Sequence, residues 1–291
     1  MTQEIGSSML IRNTPKSQNE WKKLIDSKGV TSIDTDFAQM AIVQEKGQLT
    51  VHWAFEDINT MREHFSPMFE ELKPEIADAD VDFIALDLVQ FQNRDWIQPL
   101  LQDANFYFFA EWMNMENPGL DPEDIPDFPD DVIMSHATDD DVEKMYSIWV
   151  NSYGDLTTSP ATFDYYLENQ TWIGALERNG EVVGFAINGP VVSGSGEVFE
   201  VAVDAHFEDE GYKSLLLSAA AYQLTTQDAR RATIKVRPDI KNALRTCSDL
   251  GFRPVIGGLE YRRSTDEEYN LAKQEERRSA SGVKARFGDW R

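Results

Sequence analysis

The residues whose types and spacing suit them to chemistry cluster in the second half of the chain. Glu197 and Glu200 lie along an otherwise apolar run that ends Val201-Ala202-Val203. A carboxylate held on such a run can accept a proton from a substrate. The competing readings are a strand-edge carboxylate in solvent for Glu197, after Ser193-Gly194-Ser195-Gly196, and a core-adjacent ion pair for Glu200. Glu208, Asp209 and Glu210 lead into Gly211, Tyr212 and Lys213, where a helical pattern begins. Cys247 is the sole cysteine. A thiol with a pKa near 8.5 can donate a proton, but a free cysteine is more often a small apolar residue packed on a sheet. His206 can act as an acid or base, against the commoner reading of a surface-loop histidine. His52, His64 and His136 show no ligand spacing, so no metal is implied.

Composition sets the frame for these residues. At about 100–200 residues per domain, 291 residues predict two domains or one long repeat-built unit. One cysteine excludes an intrachain disulfide and fits a reducing compartment. The net charge of −24 disfavours nucleic acid and anionic membrane surfaces as partners, and weakly favours a cationic substrate. No apolar run is long enough for a spanning helix, and Met1 to Trp21 lacks the apolar core of a secretory signal. The expected location is the cytoplasm.

Periodicity supplies the elements. Met1 to Lys16 reads as polar and loose, and Ser17 to Lys28 as a short helix with Trp21, Leu24 and Ile25 on one face. Strands 40–44 and 49–55 form a hairpin; helix 59–71, strand 81–91, helix 95–103 and strand 106–113 follow. The aromatic residues of this half lie at core periods. Asn117 to Asp131 carries Pro118, Pro122, Pro126 and Pro129 among acidic residues and reads as an extended linker. Beyond it come strand 132–136, a helix to about Ser152 opened by a Thr138/Asp141 capping box, and helix 160–168. A hairpin across Asn179-Gly180 joins 172–178 to 182–188. Strand 198–203, helix 211–227, strand 232–236, helix 241–250 and strand 252–262 complete the order, before a charged tail from 264 to 291.

This order over residues 132–263 resembles the GNAT (Gcn5-related N-acetyltransferase) superfamily. The family's central strand ends in a Leu-Ala-Val-like run, here Val201-Ala202-Val203. It continues through x-Pro-x-Tyr, here Asp204-Ala205-His206-Phe207, into a phosphate loop R/Q-x-x-G-x-G/A, here Glu208-Asp209-Glu210-Gly211-Tyr212-Lys213. A later Ala, Tyr, Gly-Phe signature appears as Ala243, Cys247 and Gly251-Phe252. The first half repeats the C-terminal part of that order; Asp103-Ala104-Asn105-Phe106 precedes Asp249-Leu250-Gly251-Phe252, and its strand-to-helix turn, 55–59, has no glycine. The chain thus looks like a tandem GNAT: a decayed partial domain at 1–116, a Pro/acidic linker at 117–131, an acyltransferase domain at 132–263 and a tail at 264–291. The expected fold class is α/β (α+β), a mixed central sheet flanked by helices.

The resemblance implies an acyl-CoA-dependent N-acyltransferase. It would carry acetyl from acetyl-CoA, or another acyl group, directly to a primary amine in a small molecule or peptide, with a homodimer as the expected form of association. Cofactor binding falls to Val201, Ala202 and Val203 and to the loop Glu208, Asp209, Glu210, Gly211, Tyr212 and Lys213. Glu197 sits where the histone-acetyltransferase branch of the family supplies its general base. Cys247 sits where many members carry the tyrosine that protonates the leaving thiolate. Tyr212, Tyr222 and Tyr261 are the stand-ins for that tyrosine, and Tyr146, Trp149, Tyr153, Tyr165 and Tyr166 border the acceptor groove. Only Gly211 matches the three marked loop positions. Glu208, Asp209 and Glu210 oppose a pyrophosphate, at about 0.5–2 kcal/mol per contact, with Lys213 and Lys241 available to offset part. The alternative is a decayed GNAT-fold binding module or acyl-CoA sensor.

Overall fold

The computed structural model describes residues 11–27, 29–76, 81–90, 95–153 and 160–275. Two compact units divide the chain, residues 1–109 with 259–291, and residues 110–258.

In the first unit a mixed, mostly antiparallel sheet forms from β2 (Thr31–Asp34), β3 (Ala38–Glu45), β4 (Gln48–Phe55) and β5 (Phe83–Val89) in that order. The β3–β4 hairpin turns through Lys46 and Gly47, both at positive φ. β5 runs parallel to β4, with Leu49 opposite Ile84 and Thr50 opposite Ala85. α1 (Gln18–Ile25) opens with a Ser17/Glu20 capping box, and α2 (Ile58–Leu72) buries Met61, Phe65, Met68, Phe69 and Leu72. α3 (Gln98–Asp103) ends where Asn105 turns left-handed at φ 61°, as expected. The expectation of a loose start fails at β1 (Ile11–Arg12), which pairs with Phe55 and Ala54 of β4. The cause is Asn13. Fully buried, it donates its side-chain amide to Val51 O and accepts from Trp53 N, each at 2.8 Å. The remainder of that segment, 1–10, lies outside the described residues, as do Lys28, Phe91 and the tail beyond 275.

β6 (Tyr107–Asn117) carries the chain into the second unit, where residues 113–117 pair antiparallel with β11 (Arg231–Val236). The proline-rich stretch that follows is extended but anchored: Leu120 and Phe128 pack on the core, and Leu120 N donates to Arg230 O at 2.9 Å. From β6 the order continues through β11, β10 (Ser195–Val203), β9 (Glu181–Asn188), β8 (Trp172–Arg178) and β7 (Val132–His136). α4 (Val142–Ser152) follows a capping box between Thr138 and Asp141, and α5 (Pro160–Asn169) follows it. α6 (Tyr212–Thr225) and α7 (Ala243–Asp249) complete the unit. α7 begins later than its sequence pattern because Asn242 is left-handed, φ 60°, which places Lys241 outside the helix. β12 (Arg253–Ser264) returns the chain to the first unit, whose core it supplies with Leu259 and Tyr261. No helix among the described residues is long and apolar enough to cross a membrane.

Candidate active site

Two irregularities of β10 create the site. β10 and β11 pair in parallel from Ser195↔Arg231 to Val198↔Ile234, and among the described residues the pairing ends there. On its other edge β10 shifts register against β9 between Val198 and Glu200, leaving Phe199 as an extra residue. Such a bulge bends the strand and re-aims the next side chain. The resulting cleft, a cavity of ≈ 60 Å³, is lined by Glu200 and Val201 of β10, 234–237 at the end of β11, Lys213 and Leu217 of α6, and Cys247 of α7. Tyr153, just past α4, closes one side.

Glu200 is the carboxylate of this cleft. Its Oε2 accepts from Trp149 Nε1 and from Tyr153 Oη, each at 2.7 Å, and its Oε1 accepts from the backbone N–H of Val201 at 2.9 Å. Trp149 and Tyr153 stand four residues apart, one helical turn, so one face of α4 delivers both donors to one oxygen. Burial holds the Glu200 carboxyl above the ordinary carboxylate range, outweighing these hydrogen bonds and the charge of Lys213. Burial, and then the Glu200 charge, push the Tyr153 phenol well above 10. Behind them Trp149, Phe163 and Phe185 pack in sequence, and Phe199 stacks on Tyr166 with centroids 4.9 Å apart.

The predicted site residues divide. Val201 faces the cleft, whereas Ala202 and Val203 are buried in the core. Cys247 lines the cleft and is 2% exposed; burial pushes its thiol up to about 11. Glu197, opposite Thr233 in the paired part of β10, is outside the cleft lining. Of the stand-in tyrosines, Tyr212 is buried beside Phe207, and Tyr261 belongs to the core of the first unit. Gly211 is the N-cap of α6 at φ 80°, ψ 5°, with no side-chain cap and nothing within 4 Å of where a Cβ would sit. Each loop carboxylate has a cation. Glu208 Oε1 lies 2.8 Å from Lys213 Nζ, Asp209 Oδ1 lies 2.7 Å from Lys241 Nζ, and Glu210 is 3.8 Å from Arg178. The loop is therefore far less anionic than its sequence suggests. From the sequence Glu200 ranks second to Glu197, and Tyr153 only borders the groove. The visible signal was an i, i+4 Trp–Tyr pair on a helix and a carboxylate between Phe199 and Val201; the bulge that joins them carries no sequence mark.

The first unit has a different helix start. The Asp57 carboxylate caps α2 by accepting from Thr60 N at 2.8 Å, and the hydrogen bonds from Thr60 hold it below its ordinary range. Beyond its pairing with β5, β4 carries Trp53 and Phe55, fully buried and packed with Phe65.

Residues 142–252 match the sequence profile of the Acetyltransferase (GNAT) family. No curated protein sequence matches the chain. Among solved structures, a GCN5-related N-acetyltransferase from Kribbella flavida superposes with a TM-score of 0.53 at 17% identity, covering 84% of this chain and 92% of that one. A GCN5-related N-acetyltransferase-like protein from Streptococcus suis gives 0.53 at 12%, covering 84% and 97%. A tandem GNAT protein from the clavulanic acid biosynthesis pathway gives 0.54 at 9%, covering 82% and 84%. Residues 142–252 thus match the GNAT profile, and the chain, its N-terminal half included, shares the fold of these structures.

Proposed function

We propose that the second unit is an acyl-CoA-dependent N-acyltransferase, with acetyl-CoA as the first donor to test and a primary amine of a small molecule or peptide as acceptor. The observation that carries this reading is the pairing of an uncapped helix start at Gly211 with an open cleft that holds a buried carboxylate. The residues fit the donor. Gly211 leaves room for a phosphate to approach backbone N–H groups, which the α6 dipole favours. Lys213, Lys235 and Arg237 bring three cations to the cleft of a chain whose net charge is −24. In the first unit the Asp57 carboxylate already occupies the matching helix start, which supports a single donor site per chain.

The donor supplies an activated thioester. Lys213 and the first turn of α6 would hold its phosphates, and Val201 and Ile234 would wall its chain. Glu200 supplies a proton acceptor inside the cleft. Thermal-shift titration of the full chain with acetyl-CoA tests binding; at 100 times Kd the stabilisation would be about 2.7 kcal/mol. Thiol release over a panel of primary amines then tests transfer. Absence of any shift would sink the reading and leave a decayed binding module.

A further inference from the structure

The family's thiolate-protonating position is filled here by Cys247, and a thiol held at about 11 is a poor proton donor to another thiol with an ordinary pKa near 8.5. Protonation of the departing sulfur by the protein therefore falls to another group on the cleft. Tyr153 lines the same cleft and is hydrogen-bonded to Glu200 at 2.7 Å. Resting on the acyltransfer reading above, we propose that Glu200 and Tyr153 are both catalytic residues and form a single proton relay, in which Glu200 is the base and Tyr153 the acid.

The step balances. Glu200 takes the proton that the attacking nitrogen sheds as the N–C bond forms. Tyr153 gives its hydroxyl proton to the sulfur as the C–S bond breaks and the sulfur keeps the bonding pair. Glu200 then returns the nitrogen's proton to Tyr153 across their hydrogen bond. The carboxylate and phenol end as they began, and one proton has moved from nitrogen to sulfur.

The physical case turns on which acid is net. A phenol well above 10 protonates a thiolate poorly by itself. In the relay it never persists as phenolate, because the neutral Glu200 carboxyl beside it replaces its proton. The effective donor is that carboxyl, a group ordinarily more acidic than a thiol or a phenol. Its elevation above ordinary carboxylates makes Glu200 a better base for the first half of the cycle. Trp149 Nε1 holds Oε2 in place and Val201 N holds Oε1, so the carboxylate is oriented before substrate arrives.

The test uses Tyr153→Phe, Glu200→Gln and the double variant of the full chain, with melting curves to confirm folding. All three should still be stabilised by acetyl-CoA. Tyr153→Phe should lower kcat about 100-fold with KM for the donor within about 3-fold, and Glu200→Gln should lower it about as much or more. The double variant should fall no more than about 3-fold below the worse single, since members of one unit are not additive. A second readout needs no substrate. Trp149 emission, isolated by difference against Trp149→Phe, should titrate with the Glu200 carboxyl. Tyr153→Phe should move that midpoint upward, because the phenol stabilises the carboxylate. Tyr153→Phe with kcat within 3-fold, multiplicative losses, an unmoved midpoint, or loss confined to Cys247→Ala would each overturn the relay. Failure of the wild-type chain to bind acetyl-CoA is a different result: it overturns the acyltransferase reading and the relay with it.

Discussion

Replacing Glu208 by Gln isolates the electrostatics of the phosphate loop. The Glu208 carboxylate sits 2.8 Å from Lys213 Nζ, with side chains 29% and 12% exposed. Its removal acts twice in one direction: a negative charge leaves the mouth of α6, and Lys213 is released to face the cleft it lines. At about 5–8 Å and an effective dielectric of roughly 40–80, one unit charge is worth about 0.5–1.5 kcal/mol. That is a tightening of acetyl-CoA by roughly 2- to 12-fold. The gain should shrink as salt rises, because the Debye length is about 10 Å at 0.1 M and about 3 Å at 1 M. Titration calorimetry at two salt concentrations measures both effects, with Glu181→Gln, an exposed residue beside the Asn179-Gly180 turn, as control. The variant also loses a partly buried ion pair, so a stability cost of up to about 1 kcal/mol accompanies the gain. An unchanged affinity at both salt concentrations, with Gly211→Val equally silent, would refute the placement of a pyrophosphate at this loop.

Further expectations are as direct. Gly211→Ala meets open space but must hold φ near 80°, so it should cost about 1–2 kcal/mol through backbone strain alone, read by urea melts. Gly184→Ala meets Ala202 O and a Leu216 methyl at 2.9 Å, so it should destabilise by overpacking, about 1–3 kcal/mol in the same assay. Cys247, buried with a thiol at about 11, should react with a disulfide reagent at pH 8 about two orders of magnitude more slowly than an unperturbed thiol. Glu200 binds its proton more tightly folded than unfolded. Its contribution to stability is therefore fully present below 4.5 and is lost as pH rises through the elevated folded value. The wild type should accordingly lose stability relative to Glu200→Gln over that window, and a flat difference would count against the elevation.

Much of this architecture is legible in the residues. Asn179-Gly180 announces a hairpin, Thr138 with Asp141 a helix start, and Gly211 the opening of α6, because each is fixed by local backbone chemistry. The core of α2 follows from its three-and-four spacing. Less legible are features that depend on distant partners. Asn13 looks like one more polar residue until its amide is seen tied to Val51 and Trp53, some forty positions away. Lys213 and Lys241 are readable as partners of the acidic loop, but Arg178, which lies 3.8 Å from Glu210, is remote in sequence. Glu200 ranks below Glu197 because the resemblance puts the family's base at Glu197, and the extra residue at Phe199 that re-aims Glu200 depends on the pairing with β9.

The two long strands, β6 and β12, bear on the order in which the protein can be made. The second unit uses Met113 to Asn117 as the partner of β11, so a fragment cut at the prolines would bare that strand's edge to aggregation. The first unit takes Leu259 and Tyr261 into its core, and the buried Arg263 donates to Ala104 O at 2.8 Å and binds Glu267. Those residues leave the ribosome only after the whole of the second unit, 110–258. The half of the protein synthesised first is thus the half completed last, and it must wait, unfinished, for the whole of the other unit to be translated.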